Sequence, residues 1–211
     1  MNGPIETGDQ MVDSPSSIEQ AFQAIDSQGR RVRPGCVLID PDRIDRRIND
    51  LAAQIAETYT GQGQDELVIV AIMTGAMVFL ADLVRAIRRP IRMGIMIVTN
   101  YPGVATKAVG PQLDYDLRID ITDKHVLVID DILDTGGTLA KVTERIRSRS
   151  PRSVRTCVLL EKDIPDPRAI EADFVGFRVP NEFVIGYGLD YDGLFRNYPG
   201  IAVLESAEHE G

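Results

Sequence analysis

The stretch HVLVIDDILDTGGTLA, residues 125–140, decides the fold. An aliphatic run ends in two adjacent carboxylates, Asp130 and Asp131. A third acid, Asp134, follows, and then Thr135, Gly136, Gly137 and Thr138. The apolar run has the length and composition of a strand covered on both faces. The glycines precede a helix-forming segment, GTLAKVTERIRSR (137–149). They let the main chain pass close to a ligand just where a helix begins and its first amides lack internal partners. Such a turn makes an anion cradle, to which the threonines add hydroxyl donors. Two carboxylates at the end of the strand suit two vicinal hydroxyls or a hydrated Mg²⁺. A phosphorylated pentose meets both demands.

Working outward, ELVIVAIM (66–73) and IRMGIMIVT (91–99) predict two more buried strands, with a helix over AMVFLADLVRAI (76–87) between them. That is a β-α-β unit, hence a parallel pair with a right-handed crossover. SVRTCVLLEK (153–162) predicts a fourth strand, and DFVGFRV, EFVIGYG and IAVLE predict short strands near the C-terminus. LDYDLRI (113–119) alternates like an antiparallel arm. Asp40 caps a helix that starts at Pro41 and places Ile44, Ile48, Leu51 and Ile55 on one face. Upstream, SIEQAFQAI (17–25) predicts a short helix and GRRVRPG (29–35) a solvated loop. Residues 100–112, NYPGVATKAVGPQ, predict a long functional loop. The expected architecture is an α/β fold: an open, mostly parallel sheet flanked by helices, with a small hood built from N- and C-terminal segments. Residues 1–16 are expected to form a disordered tail and 17–211 one domain, its core spanning about 36–165 and its hood about 17–40 and 166–205.

Composition narrows the function classes. The chain of 211 residues carries a formal net charge of −9, which argues against a nucleic-acid partner that would need a basic face. Its two cysteines, Cys36 and Cys157, have no metal-binding spacing and make no disulfide framework, which suits a reducing cytoplasm. The polar N-terminus lacks the basic start and apolar core of a signal peptide, and no apolar run is long enough for a membrane span.

VLVIDDILDTGGTL resembles the phosphoribosyl-pyrophosphate signature of the type I phosphoribosyltransferases. LEKDIPDPRAIEADFVGFRVPNEFVIGYGLDYDGLFRNYPGIAVL (160–204) resembles the C-terminal half of the hypoxanthine-guanine phosphoribosyltransferases, and GAMVFLADLVR (75–85) resembles their first helix. The likeness spans roughly residues 36–205. It implies that Asp130 and Asp131 contact the ribose hydroxyls and the metal region. Asp134 lies near purine N7 as the catalytic acid/base, and Thr135, Gly136, Gly137 and Thr138 hold the 5′-phosphate. Lys162 hydrogen-bonds the purine 6-oxo group, Phe183 stacks on the ring, and the Val184 main chain reads the base edge. Asp190 binds Mg²⁺ and Arg196 contacts pyrophosphate. Thr74 and Gly75 belong to a pyrophosphate loop with a cis peptide between Met73 and Thr74. Asn100 and Tyr101 open a mobile lid.

Three positions depart from the family's usual pattern: Gly137 stands where Lys is common, Thr74 where many relatives carry Lys or Arg, and Asn100 where Ser is usual. The implied partners are phosphoribosyl pyrophosphate and a 6-oxopurine, with Mg²⁺ as cofactor and a homodimer or homotetramer as the assembly. Hypoxanthine, guanine and xanthine all remain candidate bases, and a non-catalytic nucleotide-binding regulator of the same fold is the alternative from another class. A phospho-receiver domain also opens with a strand ending in acids. It needs a later acceptor Asp, for which Asp173 falls at a plausible distance, and then a Lys, and no Lys follows Lys162.

Overall fold

The computed structural model describes residues 21–60, 66–99 and 112–207. The main sheet has six strands in the order β5-β4-β3-β6-β7-β8: β3 (Leu67–Met73), β4 (Arg92–Thr99), β5 (Gln112–Tyr115), β6 (His125–Leu133), β7 (Ser153–Lys162) and β8 (Phe174–Val179). All neighbours are parallel except β4 and β5, which run antiparallel as the alternation in LDYDLRI predicts. Helices α1 (Pro41–Thr58), α2 (Met77–Ala86) and α3 (Gly137–Arg147) cover it. Asp40 caps α1, its carboxylate accepting from the Arg43 amide at 2.9 Å.

Both faces of the central strands are buried, which is why those strands read as unbroken apolar runs. Ile69, Ala71, Ile129 and Leu159 pack with Ile44, Leu51 and Ile55 of α1 and with Phe79 and Leu83 of α2. Val68, Val70, Val126 and Val128 pack on the other side with Leu139, Val142 and Ile146 of α3. Cys157 is one of these core residues, and burial pushes its thiol up to about 12. Met93 and Ile95 of β4 pair with Ile69 and Ala71 and so share the α1/α2 face, yet they stand exposed, as does Met77.

A second, antiparallel sheet, in the order β1-β2-β10-β9, forms the hood: β1 (Ala24–Ile25), β2 (Arg31–Ile39), β9 (Val184–Ile185) and β10 (Ile201–Ala207). Two sequence expectations fail here. Ala24 and Ile25, expected in a helix, are strand residues paired with Val32 and Arg31. Arg31–Gly35, expected in a loop, belongs to β2 and pairs with β10. Its alternation of exposed Arg31 and Arg33 with buried Val32 and Pro34 is a period of two with one face on the hood core. A partner strand thus overrides both the helix propensity of one segment and the turn signal of the other.

Candidate active site

The cleft lies where the sheet changes direction. From β3 the chain crosses through α2 to β4 on one side, and later enters β6 on the other. Ligands in open α/β sheets bind at this switch point, beyond the carboxyl ends of the strands. The pairing shows how the cleft opens. β6 stays with β3 only to Ile129, opposite Ala71, but follows β7 as far as Leu133. Asp130 and Asp131 therefore sit within β6, which runs on to Leu133 beyond the strand end that the sequence suggests, and they face a gap that β3 has vacated. The Met73–Thr74 peptide at the end of β3 is cis, as the resemblance implies.

The gap is a cleft of about 800 Å³ whose lining includes Thr74, Gly75, Asp130, Asp131, Asp134, Gly137, Thr138, Asp190 and Arg196. Burial pushes the Asp130 carboxyl well above the usual carboxylate range, and the charge of Asp131 pushes it further. Burial likewise raises Asp131, against hydrogen bonds from Asp130 and from the Ile132 amide, the latter 2.8 Å long. The pair is short of positive charge. Gly75 is demanded by this arrangement, because a Cβ there would run into the Asp131 carboxylate. Gly188, at φ +104°, leaves room in turn for the Gly75 carbonyl.

One wall of the cleft is built from main chain. Gly136 takes a left-handed conformation, φ +80°, and α3 starts at Gly137 with no side-chain cap. The first amides of α3 therefore lack internal acceptors and open into the cleft. The loop is braced from behind: Ala169 donates its amide to the Thr135 carbonyl at 3.0 Å, and Ile170 packs against Gly136. Nothing crowds Gly137, where a Cβ would meet only Thr135 Oγ1 at 3.9 Å.

On the opposite wall, Arg196 donates to the Gly188 carbonyl at 2.7 Å and pairs with Asp190 at 2.7 Å. Asp190 also accepts from the Gly193 amide at 2.9 Å. Beyond Asp131, Asp134 and Asp190 the cleft continues into a smaller hollow of about 250 Å³, walled by Lys162, Phe183 and Val184. Lys162 Nζ lies 3.1 Å from Asp134 Oδ2. Phe183 is 51% exposed, although its main chain is fixed by a 2.8 Å bond from the Leu204 amide to its carbonyl. Among the described residues the site thus offers an anion cradle, a carboxylate pair and a small hollow with one ammonium donor, in that order.

Residues 40–192 match the model of the phosphoribosyl transferase domain. The chain belongs to the phosphoribosyltransferase family. It is 41% identical over 173 residues to a hypoxanthine phosphoribosyltransferase of Haemophilus influenzae, covering 80% of this chain and 96% of that one. It is 39% identical over 170 residues to a hypoxanthine-guanine phosphoribosyltransferase of Aquifex aeolicus, covering 80% and 94%. Among solved structures, a hypoxanthine phosphoribosyltransferase from Staphylococcus aureus superposes with a TM-score of 0.74 at 39% identity, covering 82% of this chain and 92% of that one. The Trypanosoma cruzi enzyme in complex with the product IMP does so with a TM-score of 0.74 at 36% identity, covering 82% and 95%.

Two contiguous hollows gather the residues that the family resemblance singles out. Asn100 and Tyr101 are the exceptions, lying outside the described residues. Other contributors escape a sequence reading. Ile97 and Val98 of β4 form an apolar wall. Arg168 donates to the Lys162 carbonyl and, at 3.2 Å, to the Asp134 carbonyl, tying together the two main chains whose side chains meet. The Pro165-Asp166-Pro167 turn just before it signals a tight connection, but nothing in the sequence says where its guanidinium points.

Proposed function

We propose that this chain transfers the 5-phosphoribosyl group of phosphoribosyl pyrophosphate to hypoxanthine or guanine, giving IMP or GMP and pyrophosphate. The observation that carries this is the sharing of Asp131, Asp134 and Asp190 between the phosphoribosyl-sized cleft and the base-sized hollow. A nucleoside monophosphate spans both at once.

The first amides of α3, with Thr135 and Thr138, take the 5′-phosphate. Asp130 and Asp131 accept hydrogen bonds from the ribose hydroxyls, which satisfies carboxylates that burial leaves undercompensated. Phe183 presents a free ring face to the purine. Lys162 donates to the 6-oxo group and so disfavours adenine, whose 6-amino group is itself a donor. Arg196 and the amides around Thr74 and Gly75 receive the pyrophosphate. The purine nitrogen bonds to C1 as the C1–oxygen bond breaks and pyrophosphate leaves with the electron pair. Asp134, beside the base, accepts the proton the purine gives up. Most of the acceleration comes from holding both reactants in line.

Mg²⁺ fits this donor set. Among the described residues no group of three or more His, Cys, Asp or Glu could hold a metal ion. Mg²⁺ keeps its waters and takes one or two carboxylates plus substrate phosphate oxygens. Asp190, or one carboxylate of the Asp130–Asp131 pair, would supply those ligands. Bound there, it neutralises charge on the leaving pyrophosphate.

The exposed Met77, Met93 and Ile95 support assembly into a homodimer or homotetramer. The free thiol of exposed Cys36 supports a cytoplasmic setting. The test incubates the protein with phosphoribosyl pyrophosphate, Mg²⁺ and each purine in turn. Nucleotide is expected with hypoxanthine or guanine and little with adenine. Equal turnover of adenine overturns the role of Lys162, and no turnover of any purine overturns the transferase assignment.

A further inference from the structure

The turn between β1 and β2 grips the loop that follows Asp190. Asp26 is 6% exposed, and its carboxylate accepts from the Gln28 amide at 2.9 Å, the Arg30 amide at 2.8 Å and the Arg30 guanidinium at 2.7 Å. It also accepts from the Tyr191 hydroxyl at 3.1 Å, and Arg30 donates to that same hydroxyl. One residue on, the Ser27 amide donates to Asp192 at 2.6 Å. Burial opposes ionisation of Asp26, but the hydrogen bonds from Arg30, Tyr191 and Gln28 outweigh it and hold the carboxyl down at about 2. The latch is therefore closed throughout the neutral range.

Tyr191 is the link to the site. Its main chain exchanges hydrogen bonds with Leu194 at 3.2 and 2.9 Å, so the residue cannot shift freely along the loop. Its ring meets Phe183 edge-on, with centroids 5.5 Å apart and planes at 89°. Among the described residues this is the one ring contact Phe183 makes. With the Phe183 main chain fixed to β10, what remains to be set is the tilt of an otherwise exposed ring.

We infer that the Asp26–Arg30–Tyr191 latch is a positioning device for the purine platform, by which the N-terminal hairpin sets the tilt of Phe183 before the base arrives. This rests on the stacking role proposed for Phe183. Edge-to-face contacts are individually modest, so the effect is a tuning of base affinity and not an all-or-none switch. The latch touches neither the phosphate cradle nor the carboxylate pair, so ribose 5-phosphate, which has neither base nor pyrophosphate, should not feel it.

The experiment compares GMP with ribose 5-phosphate by calorimetry in four proteins: the unaltered chain, Tyr191→Phe, Asp26→Asn and Phe183→Ala. Tyr191→Phe keeps the edge contact and removes only the hydroxyl, which guards against loss of folding in Asp26→Asn. The two latch variants are expected to weaken GMP roughly three- to tenfold while leaving ribose 5-phosphate unchanged. Steady-state kinetics should likewise show a raised KM for the purine. If Phe183→Ala weakens GMP but both folded latch variants bind it normally, the latch is overturned and the platform stands. Equal weakening of both ligands also overturns the latch, since it points to general destabilisation. If Phe183→Ala leaves GMP affinity unchanged, the stacking role fails, and the latch with it.

Discussion

Lys162 Nζ and Asp134 Oδ2 lie 3.1 Å apart, so the proposed reader of the purine oxo group is paired with the proposed proton acceptor. An ammonium has three donors, and this contact uses one. Lys162 can therefore hold Asp134 and a purine oxygen together. Asp134→Asn is expected to lower kcat about 10²- to 10⁴-fold with little change in GMP affinity. Lys162→Ala is expected mainly to raise the KM for hypoxanthine. Because the side chains touch, the double variant should lose less than the sum of the two. Strict additivity in the kinetic cycle would show that the two residues act independently.

Asp130 illustrates a site built at the expense of the fold. Its folded-state pKa is raised by burial and by Asp131, so the folded chain holds that proton more tightly than the unfolded chain does. The sign follows: the associated stability is present in acid and is lost as pH rises from the ordinary carboxylate range towards the folded value. Asp130→Asn removes the ionisation. The ligand-free variant should melt higher at neutral pH, by roughly 2–4 °C for each kcal/mol recovered. The same variant should bind phosphoribosyl pyrophosphate poorly. Calorimetric melts of both proteins at pH 5 and pH 8 check this, and a lower melting temperature in the variant at pH 8 would reverse the assignment.

The sheet was legible because its strands are buried on both faces and punctuated by Gly, Pro and Asp; SVRTCVLLEK coincides with β7 end to end. The turn before α3 was legible because Gly136 and Gly137 stand directly ahead of a helix-forming run, and Gly136 takes the left-handed conformation glycine favours. The hood was not. β1 has two residues, and β2 carries Pro34 and Gly35 inside its span, so local signals point away from strand. Only β10, some 170 residues downstream, supplies the pairing that overrides them. Arg168 and Tyr191 were invisible for a related reason. Their importance lies in which backbone or ring they touch, and contact across the fold leaves no spacing to read.

Gly75 offers a steric test. The Asp131 carboxylate occupies the space a Cβ would need, and Asp131 cannot retreat without leaving the position proposed for its contact with the ribose. Gly75→Ala is therefore expected to raise the KM for phosphoribosyl pyrophosphate about tenfold or more, since small misplacements of positioning groups are costly. Unchanged kinetics in Gly75→Ala would show that Asp131 adapts.

Gly137 makes the opposite prediction, a gain. Many members of the family carry Lys at this position, whereas here a Cβ would find open space, so packing does not demand glycine. Among the described residues the cleft lining carries four acids, Asp130, Asp131, Asp134 and Asp190, against the single cation Arg196. An ammonium added at the first turn of α3 would stand beside the phosphate and extend the cradle that the main chain already forms. Glycine also costs about 1 kcal/mol relative to good helix formers within a helix, so part of any change will be stability. Ligand binding separates the two effects. Gly137→Lys is expected to tighten GMP about three- to tenfold at low salt, with the gain shrinking as ionic strength rises through the range where exposed charges are screened. Guanosine, which lacks the phosphate, should bind both proteins alike. A uniform gain for GMP and guanosine would mean that the substitution acts through helix stability, and no gain at any salt would place the 5′-phosphate away from the start of α3.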